Sequence, residues 1–230
     1  MNFLIGFIIS LAFGLFAYWR KSVSVSGLWS GILVGTFLYG FSGPQGFSLL
    51  AFFFIVSSLL TRHGLDRKQA MGVAQPNEGR RGAKEALANC LPSLFFAFLF
   101  WRNGSLLAAV GFVSSFAAAL ADTTATELGQ VYGRRFFRMP RFQRVPAGTR
   151  GAFSLEGTGF GVLAACAMGT LAYCLGFFPV FGIIPVVVGA TIGFIGESLL
   201  APVIVGHEVR NFIGPLLGGG CGMMFATFLS

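Results

Sequence analysis

The stretch Gly104–Ser154, GSLLAAVGFVSSFAAALADTTATELGQVYGRRFFRMPRFQRVPAGTRGAFS, decides how the rest of the chain is read. Its first part, through Ala121, is uncharged and close to the roughly 20 residues that cross a hydrocarbon core. That apolar run delivers two carboxylates, Asp122 and Glu127, into a series of six arginines closing on a Pro-Ala-Gly-Thr-Arg-Gly turn. Carboxylates, arginines and glycines therefore meet at a membrane surface. With only 8 acidic residues in the chain, few groups are candidates to hold a divalent cation, and this stretch also supplies the cations an anion site needs. On an ideal helix, however, Asp122 and Glu127 are five residues apart and diverge by about 140°. They share an ion only if the helix unwinds or other elements close over it.

Outward from that stretch, the composition is far from soluble usage: 55% hydrophobic and 10% charged residues, with a mean hydropathy of +0.77. The 230 residues read as a single integral membrane domain, 1–230. Glycine, at 33 residues, suits close helix contact in a bilayer. The cysteines, Cys90, Cys166, Cys174 and Cys221, lack metal or disulfide spacing and read as packing residues. The first apolar run precedes its positive charges and has no small-residue cleavage pattern, so it reads as a membrane helix rather than a signal peptide. The net charge of +8 is read from its placement along the chain, not as a sign of nucleic-acid binding.

Apolar runs occupy Asn2–Trp19, Ser26–Phe41, Gln45–Leu60, Ala86–Trp101, Gly104–Ala121, Gly157–Phe178, Phe181–Val205 and Phe212–Leu229. The expected class is all-α, a polytopic transmembrane bundle of about 7–8 spans with long cytoplasmic loops carrying the site. The second, third and fourth runs are short for a crossing. With eight spans, 15 of the 16 basic residues fall on odd-numbered connections and only Arg102 on an even one. By the positive-inside rule the odd connections are cytoplasmic. The expected location is a bacterial-type cell membrane or a plastid-type membrane.

Two long loops follow. In the first, Pro76-Asn77-Glu78-Gly79 predicts a turn before a helix beginning near Arg80, with Arg81, Glu85 and Asn89 on one face. In the second, Phe136, Phe137 and Phe142 interleave with arginines in a pattern suited to the headgroup layer. Arg144, Thr149, Arg150 and Ser154 bracket Pro146, Gly148 and Gly151, a turn whose amides and hydroxyls suit phosphate oxygens. A third polar intrusion, Glu197, is costly in an uncharged span unless paired, hydrated or bound to a cation. Gly189 and Gly193 precede it, and Gly214, Gly218 and Gly222 follow at intervals of four, predicting two close-packing faces.

The segments VSGLWSGILVG, FFFIVSSLLTRHG, EGRRGAKEALAN, ADTTATELG, RVPAGTRGAFSLEGTGFG and GATIGFIGESLL together resemble the integral-membrane family that includes plant phytyl phosphate kinase of the vitamin E pathway, distantly similar to dolichol kinase and the phosphatidate cytidylyltransferases. The family's Asp-Thr-x-Ala-Ser-Glu-x-Gly is represented by Asp122 to Gly129 with Thr126 at the serine, and its Pro-Pro-Gly-Thr-x-Gly by Val145 to Gly151 with Ala147 for one proline. Glu197 replaces an aspartate in the late Gly-x-x-x-Asp-Ser, and Cys90 a glycine. The resemblance implies a CTP-dependent lipid kinase of tocopherol biosynthesis or prenol salvage. It further implies Asp122, Glu127 and Glu197 as catalytic residues and ligands of Mg²⁺ or Mn²⁺, with Arg80, Arg81, Lys84, Asn89, Arg144, Thr149, Arg150, Ser154 and Asn211 binding nucleotide and phosphate.

The leading expectation is transfer of phosphate from CTP, or another nucleoside triphosphate, to an isoprenyl monophosphate such as phytyl phosphate. Isoprenyl alcohol kinase, lipid cytidylyltransferase and transporter or flippase of an anionic lipid remain as alternatives. A transporter is expected to carry polar groups near mid-span, whereas here they crowd the span ends. The expected partners are the isoprenyl phosphate, the nucleotide and membrane lipid, with a homodimer left open and no nucleic acid. Because His63 and His207 lie in connections away from the carboxylates, the sequence predicts a monophosphate acceptor, already ionised, over an alcohol that must lose a proton.

Overall fold

The computed structural model describes residues 1–75, 79–204 and 206–228; the turn expected at Pro76-Asn77-Glu78 lies outside them. The chain forms α1 (Asn2–Trp19), α2 (Val25–Arg62), α3 (Leu65–Ala70), α4 (Ala83–Asn103), α5 (Leu106–Tyr132), α6 (Leu155–Cys174), α7 (Ile183–Leu200) and α8 (His207–Ala226). This is the all-α polytopic class expected from the sequence. Among the described residues six helices are long and apolar enough to cross a membrane, and α2 supplies two crossing arms. A straight helix of its 38 residues would separate its ends by about 57 Å. Instead Arg62, at the end, donates to the Arg20 carbonyl at 2.8 Å and to Ser22 Oγ at 3.2 Å, just before the helix begins. The reversal is at Gly43, with φ 66° and ψ −165°, a conformation open to glycine alone, and Pro44 then starts the return arm. Phe47 packs back on Tyr39, ring centroids 6.3 Å apart. The second and third runs of the sequence are thus the arms of one helical hairpin.

Helix α5 is the central shaft. Phe112, Phe116 and Ala117 are wholly buried, and α2, α4, α6, α7 and α8 all pack on it. Helices α7 and α8 approach through glycine, as their spacing predicted. A Cβ on Gly189 would lie 2.6 Å from the Gly218 carbonyl oxygen, and one on Gly193 2.6 Å from that of Gly214. Backbones this close gain dispersion contacts, the main attraction between helices in lipid. The aliphatic dilution that makes α8 poor as an isolated span is what lets it pack.

The connections sort by parity. Ser24 N donates to the Arg81 carbonyl and Arg81 N to the Ser22 carbonyl, both at 3.0 Å, joining the first connection to the third. Gly148 sits against Val73 and Gly151 against Ala201, joining the third, fifth and seventh. At the other end the rings of Phe41 and Trp101 are 5.5 Å apart and those of Phe100 and Phe177 5.8 Å apart. The basic connections therefore form one contiguous cap. On a background lacking the native cysteines, single cysteines at Gln69 and Gln143 are expected to react with an impermeant maleimide from one face, and a cysteine at Asn103 from the opposite face. Labelling of 69 and 143 from opposite faces would overturn this topology.

Two local expectations need correction. The helix placed near Arg80 begins at Ala83, with Gly82 as its N-cap, because the Arg81 backbone is committed to the first connection. The arginine-rich stretch after α5 contains three short antiparallel strands, β1 (Phe136–Arg138), β2 (Gln143–Val145) and β3 (Ala152–Phe153), in the order β2-β1-β3. Phe137 of β1 pairs with Arg144 on one side and Phe153 on the other.

Candidate active site

One side of α5 carries Asp122, Ala125, Thr126, Gly129 and Gln130, the i, i+3, i+4, i+7, i+8 spacing of a single helical stripe. That stripe faces a cavity of about 350 Å³. Helix α7 contributes Phe194, Glu197, Ser198 and Ala201 by the same periodicity, and α8 contributes His207 and Arg210 from its first turn. Much of the remaining wall is the glycine turn, Gly148 to Gly151, continuing through β3 to Ser154 at the start of α6, with Val73, Gln75 and Phe136 beside it. Gly148 and Gly151 have φ of 79° and 73°, which lets the turn fold tightly under α7, since a Cβ at Gly151 would meet Ala201.

Glu197 is firmly held. Glu197 is 7% exposed and Arg210 is equally buried; Arg210 lies within electrostatic reach of both Glu197 and Asp122 and donates to the Ile204 carbonyl at 2.9 Å. With its amide nitrogen turned to the carboxylate, Asn211 donates to Glu197 Oε1 at 3.0 Å and to the His207 carbonyl at 3.2 Å. Gly214 gives Glu197 its room, since a Cβ there would sit 2.8 Å from Oε2. Ser154 Oγ accepts from Gly157 N at 3.1 Å and caps α6, and Thr149 Oγ1 donates to the Pro146 carbonyl at 2.8 Å, stiffening the turn.

The structure does not bring together all the residues singled out in the sequence. Asp122, Glu197, Thr149, Arg150 and Ser154 line the cavity. Glu127 does not join them. Helix α5 is unbroken, so the angular divergence stands, and Glu127 pairs with Lys68 of α3 at 2.6 Å. Burial and hydrogen bonding place four others elsewhere as well. Arg81 is 6% exposed and stacks its guanidinium over Phe53, 5.4 Å from the ring centroid, as a packing cation. Asn89 donates to the Glu85 carbonyl one turn back in its own helix, at 2.9 Å. Arg144 is exposed on β2, outside the cavity lining, and Asn211 supports Glu197 rather than presenting itself to a phosphate. Arg80 and Lys84 line a neighbouring cavity.

Sequence reasoning missed Arg210, His207, Gln130 and Lys68. The signal for Arg210 was its place one helical turn beyond His207 and beside Asn211 in an otherwise apolar terminal segment. His207 also overturns the expectation that no histidine stands by the carboxylates, because α8 packs back along α7 and its first turn reaches the cavity that Asp122 and Glu197 line. Among the described residues no three of His, Cys, Asp and Glu come together as a metal cage. Asp122 and Glu197 are two carboxylates on one cavity, which fits Mg²⁺, an ion that takes one or two carboxylates and completes its shell with water and phosphate oxygens.

Comparison with known proteins gives a consistent picture. The family described as integral membrane protein DUF92 matches residues 8–204. "Protein VTE6, chloroplastic" of Arabidopsis thaliana is 31% identical over 220 residues, 90% of this chain and 66% of its own length. Membrane proteins described as uncharacterized from Synechocystis and from Methanocaldococcus jannaschii are 32% and 34% identical, covering 86% and 84% of this chain and 81% of their own lengths. No solved structure matches the chain.

Proposed function

The chain belongs to the DUF92 family of integral membrane proteins, and on that premise we propose that it is a membrane-embedded phosphotransferase. It moves the terminal phosphoryl group of a nucleoside triphosphate, CTP foremost, to an isoprenyl monophosphate such as phytyl phosphate. The observation that carries this reading is the single cavity in which Asp122 and Glu197 face Arg150, Arg210 and the glycine turn, bordered by Phe136, Phe153 and Phe194. Phosphoryl transfer asks a protein for positioning and charge neutralisation more than covalent chemistry, and these are what the lining offers. Asp122 and Glu197 would hold Mg²⁺, which would neutralise phosphate oxygens as the bond to the leaving nucleotide weakens. Arg150, on the exposed rim of the turn, suits a fork-like grip on the acceptor phosphate, with amides of Gly148 to Gly151 beside it. The phenylalanines give the first isoprene units an apolar wall, with the remaining tail in lipid.

Purified protein given labelled CTP, Mg²⁺ and a panel of isoprenyl phosphates tests the reading directly: a labelled isoprenyl diphosphate is expected, and no labelled product with any acceptor refutes it. A second reading, isoprenyl alcohol kinase, is favoured by one observation, the imidazole of His207 on the cavity wall, a group able to take an alcohol proton. Phytol and phytyl phosphate compared side by side separate the two. The expected result is a kcat/KM at least about tenfold higher for the phosphate, reflecting the preference of two arginines for a dianion, and little change on His207→Ala. A higher kcat/KM for phytol, lost in His207→Ala, would establish the alcohol reading instead.

A further inference from the structure

A second cavity, of about 470 Å³, adjoins the first, and Gln75 lines both. The first turn of α8 stands at the same boundary, with His207 on one cavity and Glu208 on the other. The two linings differ in chemistry. The first includes Phe136, Phe153, Phe194 and Val73. The second, built from Thr61 and Ser26 at the two ends of the α2 hairpin, from Gln75, Gly79, Arg80 and Gly82, and from α4's first turn, has no aromatic or branched aliphatic side chain among its described residues. Its character comes from Gln75, Arg80, Lys84, Glu85 and Glu208. Both volumes lie in the range of small-molecule sites, about 300–1,000 Å³.

We propose that the second cavity is the nucleoside triphosphate site and the first the isoprenyl phosphate site, so that the phosphoryl group crosses at Gln75. The assignment rests on the phosphotransferase reading and divides its two substrates by the chemistry of the walls. An isoprenyl chain gains nothing from a wall of glycine, serine, threonine and charge, whereas the three phenylalanines of the first cavity offer it apolar surface and the triphosphate is matched by the cations of the second. Lys84 and Arg80 bring positive charge for the triphosphate. Glu85 and Glu208 bring acceptors for ribose hydroxyls or a base amino group. In the transfer, an oxygen of the acceptor monophosphate forms the new bond to the terminal phosphorus. The bond from that phosphorus to its bridging oxygen breaks, and its electron pair leaves with the nucleoside diphosphate. An ionised acceptor oxygen requires no proton to move.

The test varies MgCTP at saturating phytyl phosphate, and then the reverse, on the full chain in detergent, for wild type, Lys84→Ala, Lys84→Arg and Phe153→Ala. Lys84 is exposed at the start of α4, so its removal is not expected to unfold the protein. Lys84→Ala is expected to raise KM for CTP by about tenfold to a hundredfold, the scale of a charge-assisted hydrogen bond, while leaving KM for phytyl phosphate near wild type. Lys84→Arg is expected to restore most of the loss, and Phe153→Ala to raise KM for the lipid alone. A Lys84→Ala effect on the lipid KM, or on neither, overturns the assignment. Equilibrium binding of MgCTP without lipid separates this failure from failure of the functional reading. CTP binding lost in Lys84→Ala supports the site even if no acceptor turns over, and wild type that binds no nucleoside triphosphate refutes it.

Discussion

Replacing Asp122 with Asn is expected to lower turnover by about a thousandfold or more while the protein unfolds at nearly the wild-type temperature. The substitution preserves shape and volume while it removes the negative charge and turns one acceptor oxygen into a donor, so packing along α5 is undisturbed. Asp122 stands at the head of the stripe that faces the cavity, where charge builds on phosphate oxygens as the transfer proceeds. Loss of a group that acts through charge at that point typically costs a few kcal/mol of the barrier, and each 1.36 kcal/mol is tenfold in rate. Glu197→Gln is expected to follow, with a smaller loss, because Asn211 and Arg210 still position the amide. Wild-type turnover in Asp122→Asn would remove the carboxylate pair from the chemistry.

The largest effect on stability is expected from Lys68→Met. Lys68 is 1% exposed and Glu127 likewise. The lysine ammonium donates to the Leu60 carbonyl at 3.0 Å, to the Thr61 carbonyl at 2.9 Å and to Glu127 Oε2 at 2.6 Å, placing all three of its protons. It thereby closes the end of the α2 hairpin onto α5 and fixes α3, from which the chain continues to Val73 and Gln75 on the cavity. Without the lysine the carboxylate remains buried and uncompensated, since Glu127 Oε1 has no partner among the described residues. Breaking a buried pair from one side costs about 3–5 kcal/mol, readable as a large drop in thermal unfolding temperature in detergent. Removing both charges with Lys68→Met and Glu127→Leu is expected to recover much of it, because desolvation of the pair offsets most of its attraction. A single Lys68→Met with wild-type stability, or a double variant no better than the single, would refute this account. Turnover by the same double variant separates Glu127 from the chemistry, for a metal ligand could not be removed with activity retained.

The membrane class, the crossing runs and the side on which the polar machinery gathers were legible in the sequence, because each is set by local composition: apolar length against bilayer thickness and the placement of Arg and Lys. The glycines at intervals of four announced the α7–α8 contact for the same reason, a periodicity within one helix matched by the periodicity of another. Even the separation of Asp122 from Glu127 was contained in the 100° step of the helix. The partner of each carboxylate was not, since pairing depends on which helices become neighbours. Lys68 reaches Glu127 across 59 residues of chain, and Asn211 reaches Glu197 only because α8 folds back over α7. Arg81 and Arg144 show the converse. Their charge and position in sequence match those of Arg80 and Arg150, yet a backbone ladder to Ser22 and Ser24 buries one and a strand register turns the other outward. Local sequence thus determined what each residue is able to do at the membrane surface, and only tertiary contact decided which of them face the same cavity, because burial and proximity of charge are properties of packed neighbours.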